Sequence, residues 1–179
     1  MGIDLRAERP GEAAAVRWVN EAAFGRPGEA ALVDALRAAG AVIASLVAEA
    51  EGEVVGHILF SPATLASHSD EEEGEGQAAG ATTIAALGPM AVLPNWQRRG
   101  VGGQLIRAGL EACRAAGYDL CIVLGHPAYY PRFGFRPAAP LGIRWEHGGG
   151  DAFMVTELRP GALAGRGGVA RYRPEFDGV

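Results

Sequence analysis

The sequence predicts a single mixed α/β domain, and three observations predict it. Apolar runs of strand length alternate along the chain with amphipathic segments of helical period. The 179 residues are enough for one domain with a sizeable core. Hydrophobic residues make up 49%, an ordinary share for a globular protein.

Ile3 to Arg6 reads as a first strand. Pro10-Gly11 opens a helix in which Ala14, Val16, Val19 and Ala22-Ala23 recur at helical spacing, and Arg26-Pro27-Gly28 breaks it. A second helix carrying Leu32, Val33 and Leu36 runs to Ala39, with Gly40 as its stop. Ala41 to Glu49 reads as a strand, Glu51-Gly52-Glu53 as a tight turn, and Val54 to Phe60 as the returning strand of an antiparallel hairpin. Ser61 to Ala81 is polar, small and acidic, the composition of a surface loop or loose hairpin tip. Thr82 to Leu93 is a long strand candidate, interrupted by Gly88-Pro89 and closed by Pro94. The clearest helix runs from Gly100 to Gly117, with Val101, Leu105, Ala108 and Ala112 on one face. Leu120 to Leu124 is a continuous apolar run, the mark of a strand covered on both faces. A short helix from Pro127 to Phe133 precedes a last pair of strands, Ile143 to Glu146 and Ala152 to Leu158. No internal repeat or linker divides the chain, so residues 1–179 are expected to form one domain.

Charge excludes some functions. All 16 basic residues are arginines, and the net charge is −5, which argues against general nucleic-acid binding. A local arginine cluster can still hold a small polyanion. No stretch approaches the roughly 18 apolar residues of a membrane span, and the N-terminus lacks the basic and apolar regions of a secretory signal. Cys113 and Cys121 form neither a disulfide framework nor a metal-ligand spacing. A cytoplasmic protein with reduced thiols, no bound metal and no membrane partner is expected.

The chemistry is carried by a strand, a glycine-bearing loop and a helix start: Met90-Ala91-Val92, then Gln97-Arg98-Arg99-Gly100-Val101-Gly102-Gly103. A helix N-terminus presents amides without intrahelical partners, and its dipole favours negative charge. Glycines admit a phosphate where a β-carbon would intrude, and Arg98 and Arg99 add fixed positive charge. The arrangement reads as a pyrophosphate cradle. A Walker loop needs a lysine that this chain lacks, and a dinucleotide-binding G-x-G-x-x-G after the first strand is absent. A glycine-rich helix start by chance, or an unrelated domain binding ATP or NAD, remains open on the loop alone.

Gln97 to Gly102 resembles the Q/R-x-x-G-x-G/A signature of the GNAT superfamily of acyl-CoA N-acyltransferases. Met90-Ala91-Val92 stands where that family's cofactor-binding strand lies. Tyr130-Pro131-Arg132-Phe133-Gly134-Phe135 is similar to its Y-x-x-x-G-F element. The longer string from Leu124 to Phe135 is similar to a branch of acetyltransferases of undefined substrate, and the likeness covers residues 3–158.

The resemblance implies a mostly antiparallel, twisted central sheet flanked by helices on both faces. Within it two strands, Leu87 to Leu93 and Leu120 to Leu124, splay apart. Pro89 supports the splaying independently, because it has no N–H to give a ladder. The resemblance also implies acetyl-CoA as cosubstrate, held by Met90, Ala91, Val92 and the loop from Gln97 through Arg98, Arg99, Gly100, Val101, Gly102 and Gly103. A primary amine on a small molecule, peptide or protein would attack the thioester directly. The Met90 N–H would stabilise the oxyanion, and Tyr130 would protonate the leaving thiolate; Tyr129 is read as structural. A free alkylamine has a pKa near 10.4 and must lose a proton first. Thr82 to Leu93 carries no acid for this, which leaves His57, His126 or water as candidate bases. The missing acid also keeps open a CoA-binding sensor without turnover. Family habit suggests a homodimer.

Overall fold

In the computed structural model, which describes residues 2–66 and 83–178, the hairpin at Glu51-Gly52 lies inside the sheet. β1 (Asp4–Ala7), β2 (Ala44–Ala50), β3 (Glu53–Ala66) and β4 (Ile84–Val92) are successive antiparallel neighbours. β5 (Leu120–Leu124) joins β4 in parallel, and β8 (Phe153–Glu157) with β6 (Arg136–Pro137) completes that side. β7 (Ile143–Trp145) pairs with β9 (Gly168–Arg171), which in turn pairs with the far end of β3. The sheet is mixed and mostly antiparallel, as expected.

Strand alternation decides where the helices go. Val47 and Leu59 point toward α1 (Ala13–Phe24) and α2 (Gly28–Ala38), where they join Val16, Leu32, Val33 and Leu36. Their neighbours Ala48, Ile58 and Phe60 point the other way, onto Val101, Leu105, Ile106 and Cys113 of α3 (Val101–Ala115). Helices therefore cover both faces. α1 stops at Gly25, whose left-handed φ of 69° lets its N–H bond Glu21 O at 2.8 Å.

The splayed pair is present. β4 and β5 are in register only at Ile84↔Leu120, Ala85↔Cys121 and Ala86↔Ile122, after which both strands continue unpaired with one another. β4 itself is not broken at Gly88-Pro89. Its other edge stays on β3, with a bulge between Ile58 and Phe60 opposite the proline.

Three expectations change. Ser61 to Ala66 is strand, because β3 runs on to meet β9, a partner too distant in sequence for local composition to reveal. The rest of that segment, with its acidic tract Asp70 to Glu75, lies outside the described residues. The helix expected over Pro127 to Phe133 is a 3₁₀ turn, Tyr130–Phe133, ended by left-handed Gly134. Finally, β7 and β8 do not pair with each other: β8 lies between β5 and β6, and β7 joins β9, a strand hidden in a glycine-rich stretch.

Candidate active site

The loop leads into a helix start, as the sequence predicts. A 3₁₀ turn, Pro94–Trp96, lifts the chain off β4, and the Gln97 side-chain amide ties the loop back by donating to Val92 O at 3.0 Å. Gly100, with φ at 84°, then turns into α3 without any side-chain cap. The first helical bond is donated by Gln104 N to Gly100 O, so the amides of Val101, Gly102 and Gly103 have no acceptor within the helix. No acid occupies the first turn. A β-carbon on Gly102 would fall 3.1 Å from the Tyr129 hydroxyl and 3.2 Å from Met90 Sδ.

A cavity of about 740 Å³ lies over this helix start. Of the expected cofactor residues, Met90, Val92, Gln97, Arg98, Gly100, Val101, Gly102 and Gly103 line it. Ala91 and Arg99 do not. Alternation turns the Ala91 side chain into the core, and Arg99 stacks on Trp96 at 5.1 Å. Two arginines that sequence reasoning did not single out line it as well. Arg107 lies over Phe133 at 5.0 Å, and Arg132 over Tyr129 at 4.6 Å. Arg107 stands four residues beyond Gly103 on α3, so helical spacing signals it. Phe24, at the end of α1, had no local signal.

A second cavity, of about 560 Å³, fills the wedge between the diverging strands. Leu87 to Met90 of β4 form one side, and Val123 to His126 the other. Met90, Tyr129 and Phe24 line both cavities, so the two adjoin there. Tyr129 thus belongs to the site wall as well as to its framework.

Tyr130 faces the second cavity and is 7% exposed. Its ring meets Tyr129 edge-on at 5.4 Å and Phe135 at 5.6 Å. Burial above all, then neighbouring Tyr129 and Cys121, pushes its phenol up to about 12, so it is a protonated donor at neutral pH. His126 also lines this cavity and is exposed. His57 lines neither cavity. It is fully buried, between Asn20 Nδ2 at 3.1 Å and Ser45 Oγ at 2.9 Å, and burial lowers its pKa to about 3. Ser45 donates onward to Glu8, which also accepts from Arg37 at 2.7 Å. This network braces β2 and β3 against α1 and α2. Glu29 on α2 and the aromatic residues Trp145, Tyr172 and Phe176 complete the second wall, and none of them was foreseen.

A cationic cradle at a helix start, opening onto an apolar chamber between parted strands, defines an acyltransferase-type site. The comparisons agree with that class. A family model described as an acetyltransferase (GNAT) domain matches residues 43–137. The uncharacterized N-acetyltransferase YhbS of Escherichia coli K12 is 33% identical over 176 residues, 97% of this chain and 98% of its own length. YjhQ of the same strain, also an uncharacterized N-acetyltransferase, is 42% identical over 130 residues, 72% of this chain and 66% of YjhQ. The crystal structure of E. coli YhbS in complex with CoA matches with a TM-score of 0.86 at 32% identity, covering 98% of this chain and 92% of that one. A GNAT family acetyltransferase from Brucella melitensis in complex with acetyl-CoA matches with a TM-score of 0.76 at 38% identity, covering 98% and 99%. The chain belongs to the GNAT family of acetyltransferases.

Proposed function

We propose that this protein transfers the acetyl group of acetyl-CoA to a primary amine by direct attack. The observation that carries this reading is the junction at Met90, where a cationic cavity over an uncapped helix start meets an apolar one in the β4–β5 wedge. The diphosphate is held by the amides of Val101, Gly102 and Gly103, with Arg98, Arg107 and Arg132 around it. The pantetheine arm follows β4 from Val92 to Met90, where the backbone is not paired with β5. The CoA and acetyl-CoA complexes of the two structural relatives support the assignment.

The amine nitrogen attacks the thioester carbon, forming the C–N bond as the carbonyl electrons move to oxygen, where the Met90 N–H stabilises them. The carbonyl re-forms, the C–S bond breaks, and the thiolate takes the Tyr130 proton. The surplus proton of the amine leaves to Glu29 or His126, the ionisable bases on the second wall among the described residues, and a proton returns to Tyr130. These two groups answer the missing acid on β4, and with it the sensor alternative. We place the protein in the cytoplasm, in keeping with Cys113 and Cys121, which are buried and unpaired. Calorimetry with acetyl-CoA, followed by thiol release with an amine panel, tests the reading. Failure to bind acetyl-CoA, or thiol release that no amine accelerates, would overturn it.

A further inference from the structure

The two cavities differ sharply in charge. The first carries Arg98, Arg107 and Arg132 and no acid, whereas Glu29 is the only acid on the second wall and no arginine reaches it, among the described residues. Glu29 is 5% exposed, and Arg26, itself largely exposed, pairs with it while staying off the cavity wall. Arg26 engages both oxygens of the carboxylate, which has about four lone-pair sites and so keeps acceptor capacity beyond that pair.

The rest of the wall is aromatic. Trp145 meets Tyr172 edge-on at 5.9 Å, and Tyr172 meets Phe176 at 4.9 Å. Tyr130 and Phe24 line the same cavity. The described chain exposes three large hydrophobic residues, Trp18, Phe24 and Leu124, and two of these rim this chamber. Exposed apolar side chains concentrated at one mouth mark a surface that an apolar ligand covers. The Tyr172 hydroxyl is buried without a hydrogen-bond partner; the Leu124 amide lies nearby but does not meet bonding geometry.

Resting on the acetyl-transfer reading above, we infer that the acceptor is a compact monoamine on an aromatic or branched apolar body, without a carboxylate, whose ammonium Glu29 receives. A free amino acid brings an anion to a wall that carries no arginine among the described residues. A polyamine brings further cations to a wall with a single acid. A peptide amine brings backbone amides that this aromatic surface leaves unpaired.

The experiment compares phenethylamine, tyramine, phenylalanine, spermidine and an alanine-initiated peptide at saturating acetyl-CoA, reading free thiol, with acetyl-CoA affinity measured separately by calorimetry. The expected kcat/KM for the two arylalkylamines exceeds that for the other three by at least about 100-fold. Glu29→Gln raises their KM about tenfold and leaves acetyl-CoA affinity unchanged. Leu124→Arg, at an exposed position that tolerates the change, raises the same KM and narrows the gap to phenylalanine. If acetyl-CoA binds but phenylalanine, spermidine or the peptide is preferred, or no arylalkylamine is acetylated, the acceptor class is wrong while the cofactor assignment stands. An unchanged KM in both variants overturns the role of Glu29. If acetyl-CoA does not bind, the acyl-transfer reading falls first and takes this one with it.

Discussion

The ring of Tyr130 lies against the backbone of Gly125, so closely that a β-carbon on Gly125 would sit 2.2 Å from Tyr130 Cε2. The glycine just after β5 therefore sets where the proposed acid stands. Gly125→Ala is expected to displace the phenol by enough to lower kcat about 10²-fold. Acetyl-CoA affinity should hold, since Gly125 is not on the cradle cavity. Steady-state kinetics beside calorimetry would check this, and an unchanged kcat would show that the position of the ring does not matter.

Removing the hydroxyl alone is the sharper test. Tyr130→Phe should lower kcat by about 10²–10⁴-fold with acetyl-CoA affinity nearly constant. The phenol is held near 12, so its contribution is present at neutral pH and is lost only as the pH rises toward that value. A wild-type rate that declines below about pH 10 owes that decline to another group.

The cradle can be closed without disturbing the core. Gly102→Val places carbon against the Tyr129 hydroxyl and Met90 Sδ, the contacts at 3.1 and 3.2 Å. Acetyl-CoA affinity should drop by more than about 100-fold while the melting temperature changes little. Arg107→Ala should weaken binding about tenfold and flatten its salt dependence. Normal binding by the Gly102 variant would refute the phosphate assignment.

His57 predicts how stability follows pH. Its folded pKa is lowered to about 3 from a reference of 6.5, so the unfolded chain binds a proton that the folded chain refuses. Its contribution is whole above about 6.5 and is lost as pH falls toward 3, with a slope of at most about 1.4 kcal/mol per pH unit. His57→Gln should flatten that part of a urea-denaturation series across pH. An equally steep acid limb in the variant would assign it to other groups.

Leu105 is fully buried where α3 meets the sheet. Leu105→Ala should cost about 2–5 kcal/mol of folding free energy by denaturant titration.

How much of this was readable beforehand depended on distance along the chain. The cradle is local: Gln97 to Gly103 are consecutive, and helix-start chemistry needs only neighbours. Ala91 and Arg99 show the limit of that reading, one turned inward by strand alternation and the other drawn aside by Trp96. The hairpin and α3 were legible from period and turn residues, whereas β9 was not, because its pairing with β3 and β7 is entirely non-local. His57 shows that a histidine beside an active strand is decided by which face it takes. The second wall was invisible because Glu29, Trp145, Tyr172 and Phe176 come from opposite ends of the chain and meet only through tertiary packing.

The region matching the GNAT family model ends at Pro137, yet Trp145, Tyr172 and Phe176 all follow it, and Glu29 precedes its start. Part of the second cavity's wall thus lies outside the stretch that carries most of the first, although Phe24, Met90 and Tyr129 are common to both. Under the proposed acceptor assignment, substitutions at Trp145, Tyr172 or Phe176, which lie off the first cavity, would retune recipient choice while the donor site stays intact. Two chains alike across the inner stretch can therefore serve quite different recipients.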